Sequence, residues 1–135
     1  MKRPARSLPD TNIIVRYLVA SDPVLHEKAK EFFDRVKDGG VKAVILESVI
    51  AECIYVLTKI YKVPRDRAAG SLIDILRYKG IANDDQQEVI RALSLFSEQS
   101  LDIVDCLLCA KAVAAGDHLF TFDADLNKLA KRISP

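Results

Sequence analysis

The chain has 135 residues, half of them hydrophobic, enough for one domain with a substantial core. Its 20 Lys and Arg against 19 Asp and Glu leave a net charge of +1, which excludes a polyanion-coating role carried by a global field, so any nucleic-acid contact must come from local patches. Three cysteines in apolar surroundings and no signal-like N-terminus fit a reducing cytoplasm, and charges break every apolar stretch well short of a membrane span.

Residues 1–8 are basic and include Pro4, so only the last few positions before Asp10 read as extended. Pro9-Asp10-Thr11-Asn12 then turns the chain into a short apolar helix over 13–19. Asp22-Pro23 supplies an N-cap and a proline at the first helical position. The helix they open carries Leu25, Ala29, Phe32, Phe33 and Val36 on one side and stops at Gly39-Gly40. Residues 42–46 are short and β-branched, as a strand requires. Over 48–62, Ile50, Cys53, Ile54, Leu57, Ile60 and Tyr61 keep helical period until Val63-Pro64 breaks it. Ala69, Leu72, Ile73 and Leu76 repeat the pattern over 65–79, which predicts an antiparallel helical hairpin stopped by Gly80. Ile81-Ala82 is a minimal strand. Asp85 with Glu88 then resembles a capping box, and the next helix turns Val89, Leu93 and Phe96 inward. A helix over 101–115 ends at Gly116, a strand occupies 118–122, and a short helix over 126–132 closes the chain. Strands separated by helices imply βαβ units, hence one α/β domain over 1–135 with a mostly parallel sheet.

Two aspartates, Asp10 and Asp123, each follow an extended run, so both would open on the carboxyl rim of that sheet, where ligands collect in α/β proteins. Each has an alternative as a helix cap or turn residue, and Asp125 is the better-placed cap of the closing pair. Asp102 is accounted for as the N-cap of its helix. Asp105, one turn later and inside the helix, is not, and its plain alternative is a solvent-facing carboxylate. Glu52 interrupts an apolar run and shares a stripe with Ser48, Tyr55 and Lys59, which ordinary surface with a Glu52 to Lys59 pair would also explain. Glu47, five residues earlier, points away from Glu52. Carboxylates that converge without a counter-charge repel one another, so a cluster of them calls for a cation, and oxygen-only donors select Mg²⁺ or Mn²⁺. Neither His26 nor His118 has a partner at zinc spacing. Cys106 and Cys109 lie in an apolar helical run with no second pair, which fits core packing.

In this order the motifs resemble the PIN-domain nucleases, in particular the VapC-type toxins of prokaryotic toxin–antitoxin pairs, over nearly the whole chain. Asp10-Thr11-Asn12 is similar to the family's opening acidic motif, and Glu52-Cys53-Ile54-Tyr55-Val56-Leu57 to its glutamate-led helix, which selects Glu52 over Glu47. The run from Asp102 to Leu108 resembles the third motif, with Asp105 in the catalytic place. Thr121-Phe122-Asp123-Ala124-Asp125 resembles the closing one, with Asp123 as fourth acid. Arg6, Ser7 and Pro9 depart from the family's buried first strand, because proline cannot donate to a sheet ladder. The chain also ends soon after its last helix, which leaves a closing edge strand missing or minimal.

The resemblance implies a three-layer α/β/α sandwich, Mg²⁺- or Mn²⁺-dependent endoribonuclease activity, a cognate antitoxin that blocks the site, and a homodimer. On that reading Asp10 and Asp105 hold the metal, completed by Glu52 and Asp123 directly or through water. Thr11, Asn12 and Thr121 would orient waters. Arg16, Lys59, Lys62 and Arg65 would grip RNA phosphates without reading bases. Two alternatives stay open: a housekeeping nuclease of the same fold, trimming ribosomal RNA or processing flaps, and a non-catalytic interaction domain that grips a partner helix with the 48–79 hairpin.

Overall fold

The computed structural model describes residues 5–135; residues 1–4 of the basic start lie outside the described residues. Asp10 begins α1 (Thr11–Leu18) because its carboxylate accepts the Ile13 amide at 3.0 Å, one of the donors that a helix N-terminus leaves free. Asp22 does the same for α2 (Pro23–Asp38), accepting from the Leu25 amide at 3.1 Å, and Pro23 follows in the first turn, where it gives up no helical hydrogen bond. Gly39 ends α2 at φ +88°, a backbone angle that side chains with a Cβ enter only with strain. The helix buries Ala29, Phe33 and Val36, while Leu25, expected inward, stays exposed in the first turn.

α3 (Glu47–Tyr55) runs into a π-helical turn, Val56–Ile60, in which the Tyr61 amide donates to the Val56 carbonyl at 3.2 Å. That wider turn shifts the face of the helix. Ile50, Cys53, Ile54 and Leu57 are buried as the periodicity predicts, but Ile60 and Tyr61 turn to solvent. Lys62 then takes φ +57°, left-handed for a residue with a side chain.

Four helices follow: α4 (Arg65–Leu76), α5 (Gln86–Glu98), α6 (Ile103–Ala115) and α7 (Ala124–Ile133). α5 packs between α4 and α6, α7 rests on α6, and α1 packs on both α2 and α3. The expected hairpin over 48–79 therefore gives way to a different pairing, because α4 spends its apolar face chiefly on α5 rather than on α3. The expected capping box at Asp85 is also absent. No side-chain bond caps α5, since the Asp85 carboxylate is engaged by Asn83 and Lys111.

The sheet is reduced to two parallel bridges, Ser7 with Ala43 and Ala43 with Ile81, and no longer strand forms among the described residues. Each shortening has a local cause. Pro9 has no amide with which to extend the pairing at Ser7. Past Ala43, the Ile45 amide donates to Asn83 Oδ1 at 2.9 Å and Asn83 Nδ2 donates back to the Ile45 carbonyl at 2.7 Å, so a side-chain amide replaces the next rung. At 118–122, where a fourth strand is expected, none forms. Thr121 Oγ1 accepts the Asp123 amide and the Thr121 carbonyl accepts from Asn127 Nδ2, both at 3.1 Å, and these local bonds compete with a ladder. Phe120 and Phe122 are left 76% and 95% exposed. The sandwich expected from sequence thus has its helices, with only a bridge-like trace of its central layer.

The core gathers Ile14, Phe33, Ile50, Leu57, Leu72 and Leu93. Tyr17 stacks on Phe33 at 4.6 Å and shares a 2.6 Å hydrogen bond with the Tyr78 hydroxyl, joining α1 to α2 and to the end of α4. Cys53, Cys106 and Cys109 are free and buried, as packing requires. Among the described residues no helix is long and apolar enough to cross a membrane.

Candidate carboxylate site

Three helix starts and the middle of a fourth helix present the acids singled out by the sequence. Asp10 is exposed at the head of α1, with one carboxylate oxygen spent on the Ile13 amide. Thr11, next to it, is a buried polar residue, and Asn12 is exposed. Glu52 is exposed on α3, which packs against α1. The Cys53 thiol records their neighbourhood: burial pushes it up to about 12, the Thr11 hydroxyl counters this, and the carboxylates of Glu52 and Asp10 add to the rise. Asp10 thus caps the helix that packs on the one carrying Glu52.

Asp102 precedes α6 and Asp105 stands in its first turn, and α6 packs against α3. Asp102 occupies the N-cap position but makes no capping bond, and Asp105 is half-buried. Burial pushes the Cys106 thiol beside them up to about 11; Arg65 counters it, while Cys109, Asp105 and Asp102 add to it. Both aspartates line a cleft of about 810 Å³ whose opposite wall carries Ala51, Tyr55, Thr58 and Lys59. Glu52 lies between the first two of these in sequence. The suggested Glu52 to Lys59 pair does not form, and none of Asp10, Glu52, Asp105 and Asp123 has an ion-pair partner among the described residues.

Asp123, not Asp125, caps α7: its Oδ1 accepts the Asp125 and Leu126 amides at 2.9 and 3.1 Å. The cap falls there because Thr121 receives the Asp123 amide and sets the turn. Among the described residues, no three His, Cys, Asp or Glu side chains lie close enough together to hold a metal ion. Glu52 and part of the lining of the Asp105 cleft lie on α3, whereas Asp123 ends a segment that is not docked as a strand.

The basic residues differ in how free they are. Lys59 and Lys62 are exposed. Arg16 is half-buried, with Nη1 on the Ser21 hydroxyl at 3.3 Å and Nε buried without a partner. Arg65 is not a phosphate grip. Its Nη2 donates to the carbonyls of Phe96, Gln99 and Leu101 at 2.9, 2.9 and 2.6 Å, and its guanidinium lies 3.6 Å from the Phe96 ring centre. It braces the loop that delivers Asp102 and Asp105.

Sequence reasoning missed Lys111, which pairs with Glu47 at 3.1 Å and Asp85 at 2.7 Å. It neutralises carboxylates beside a second cavity, about 660 Å³, that Asp85 and Lys111 line. Burial alone would raise the Asp85 carboxyl, but hydrogen bonds from Lys111 and Asn83 hold it below its ordinary value. A lowered carboxyl contributes stability that is present above its unfolded value, about 3.9, and is lost as pH falls through the folded one. Acidification from about pH 5 to pH 2 should therefore cost the parent chain stability that Lys111→Met has already given up. Identical slopes of unfolding free energy against pH in the two proteins would remove Lys111 as the cause.

The family model described as PIN domain matches residues 7–132, which assigns the chain to the α/β class despite its abbreviated sheet. A VapC ribonuclease of Aquifex aeolicus (strain VF5) is 28% identical over 131 residues, covering 95% of this chain and 96% of that protein. No solved structure matches significantly.

Proposed function

Given that this chain belongs to the PIN-domain family, we propose that it is a Mg²⁺- or Mn²⁺-dependent endoribonuclease, the toxin of a toxin–antitoxin pair, with Asp10, Glu52, Asp105 and Asp123 as its catalytic carboxylates. The observation that carries this reading is that acids at all four family motif positions stand without a neutralising cation among the described residues. The similarity to a VapC ribonuclease supports RNA as substrate. A cognate antitoxin and a homodimer belong to the same reading.

The donor chemistry fits a hard divalent cation. Mg²⁺ keeps several waters and takes only one or two carboxylates directly, so the set need not converge as a closed cage. Asp10 and Asp105 would hold the ion, with Glu52 and Asp123 completing it directly or through water. When bound, such an ion polarises the scissile phosphate and lowers the pKa of an attacking water. The chain's own residues supply position. Asp10 and Asp123 are fixed by the caps they make, each through one carboxylate oxygen, which leaves the other for ligation. Thr11, Asn12 and Thr121 orient water. Lys59 and Lys62 hold phosphates, and Arg16 joins them only by releasing Ser21.

Incubating the purified chain with a single-stranded RNA pool and Mn²⁺ should yield internal cleavage products that vanish on chelation and return with excess Mn²⁺. Intact RNA at every divalent-ion concentration would sink the proposal. Growth arrest on expression, relieved by a small neighbouring gene product, would separate a toxin from a housekeeping nuclease.

A further inference from the structure

We propose that the cleft beside Asp105 is a base-binding subsite for single-stranded RNA, in which Tyr55 stacks on a nucleobase and Lys59 takes the adjoining phosphate. The inference deepens the ribonuclease reading and rests on it.

At about 810 Å³ the cleft lies within the size range of small-molecule sites. Its lining combines apolar Ile54, Ile103 and Val104 with charged Lys59, Asp102 and Asp105. Tyr55 and Val104 are 60% and 61% exposed, and no aromatic contact among the described residues claims the Tyr55 ring. The floor is rigid, because Arg65 is held by three carbonyls and lies over Phe96. The wall continues from Tyr55 straight into the π turn that leads to the left-handed Lys62. Irregularities of these kinds gather at binding sites.

Continuity with Asp105 favours a nucleic acid over other occupants. A strand that places its scissile phosphate at Asp105 must put a flanking nucleotide into this cleft. There an apolar face meets the base, and Lys59 meets the next phosphate. Stacking of this kind needs a base whose face is uncovered, which a duplex does not offer. Of the polar donors nearby, the Thr58 hydroxyl is spent on the Ile54 carbonyl at 2.7 Å and Arg65 Nη2 on three carbonyls. The subsite therefore selects by stacking area rather than by base edges, purines ahead of pyrimidines.

The test measures binding of labelled oligoadenylate and oligouridylate, and of duplex RNA, to the full chain in EDTA and again in Ca²⁺. Tyr55→Ala should bind oligoadenylate about tenfold more weakly, within the range that stacking supplies per base, while Tyr55→Phe stays close to the parent and duplex affinity does not move. Lys59→Gln should shrink the salt dependence by about one phosphate contact. Because Tyr55 lies off the core, an unchanged melting curve shows that Tyr55→Ala is folded. Equal oligoadenylate affinity in Tyr55→Ala and parent overturns the subsite, as does failure of the parent to bind RNA. A Tyr55→Ala chain that keeps its RNA affinity but loses a neighbouring-gene antitoxin overturns it too, because the cleft is then a protein groove. The two readings fail separately. Tyr55-dependent binding without Mn²⁺-dependent cleavage keeps the subsite and removes the nuclease, whereas cleavage with an unchanged KM in Tyr55→Ala keeps the nuclease and removes the subsite.

Discussion

Asp105→Asn should lower RNA cleavage by about a thousandfold or more, since ligation of a catalytic metal is worth several kcal/mol and each 1.4 kcal/mol is about a factor of ten. The same substitution should leave stability within about 0.5 kcal/mol of the parent. Two small terms oppose each other. Removing the charge relieves repulsion from Asp102 one turn earlier, worth about 0.2–0.5 kcal/mol. It also gives up an attraction to the start of α6 worth about 0.3–1 kcal/mol. No hydrogen bond or ion pair of Asp105 is lost among the described residues. Asp10→Asn belongs in the same experiment, and the choice of asparagine matters. Asp10 caps α1, and asparagine caps a helix as well as aspartate does, whereas alanine would add about 1 kcal/mol of lost capping to any loss of ligation. Asp123→Asn keeps the α7 cap for the same reason. Rates are to be measured on one RNA at saturating Mn²⁺, with urea unfolding alongside. Parent-like, Mn²⁺-dependent cleavage by either Asp105→Asn or Asp10→Asn would take the assignment away.

The second large effect is on stability. Arg65→Ala should cost about 3–4 kcal/mol, a sizeable part of the 5–15 kcal/mol that holds a domain folded. Hydrogen bonds to a charged donor contribute about 1.5–3 kcal/mol each. The three here share one nitrogen and do not add in full, but the contact with Phe96 contributes about another 0.5–2 kcal/mol. Arg65→Lys should recover little, because a lone ammonium lacks the planar fork that reaches several carbonyls while lying flat on a ring. Since the braced loop carries Asp102 and Asp105, cleavage should fall as well, even at temperatures where the variant remains folded. A loss below about 1 kcal/mol in urea unfolding would show that the carbonyls find other partners.

These two experiments probe different kinds of information. Capping does not account for Asp105 in the sequence, but a solvent-facing carboxylate would, so it is the family resemblance that marks it out. From the sequence Arg65 reads as a cation free to grip phosphate, because nothing near it in the chain shows that three carbonyls 31 to 36 residues later will meet it. Tyr55 lay between the two cases. Its stripe with Glu52 and Lys59 was visible, but whether a cavity stood in front of that stripe was not.

By itself the sequence determined what short-range bonds decide: the Asp22-Pro23 start of α2, the left-handed glycines 39 and 116, and the apolar stripes of α4 and α5. Only the tertiary structure decided which faces meet. It set α4 against α5 instead of α3, let the Asn83 amide stand in for a strand, gave Lys111 to Glu47 and Asp85, and left 118–122 unpaired beside Asp123. A cap or a stop is settled among neighbours within one turn, where the chain's own spacing fixes the distance. A brace, a rung or a cleft joins segments dozens of residues apart, and its formation depends on every competing contact each segment is offered.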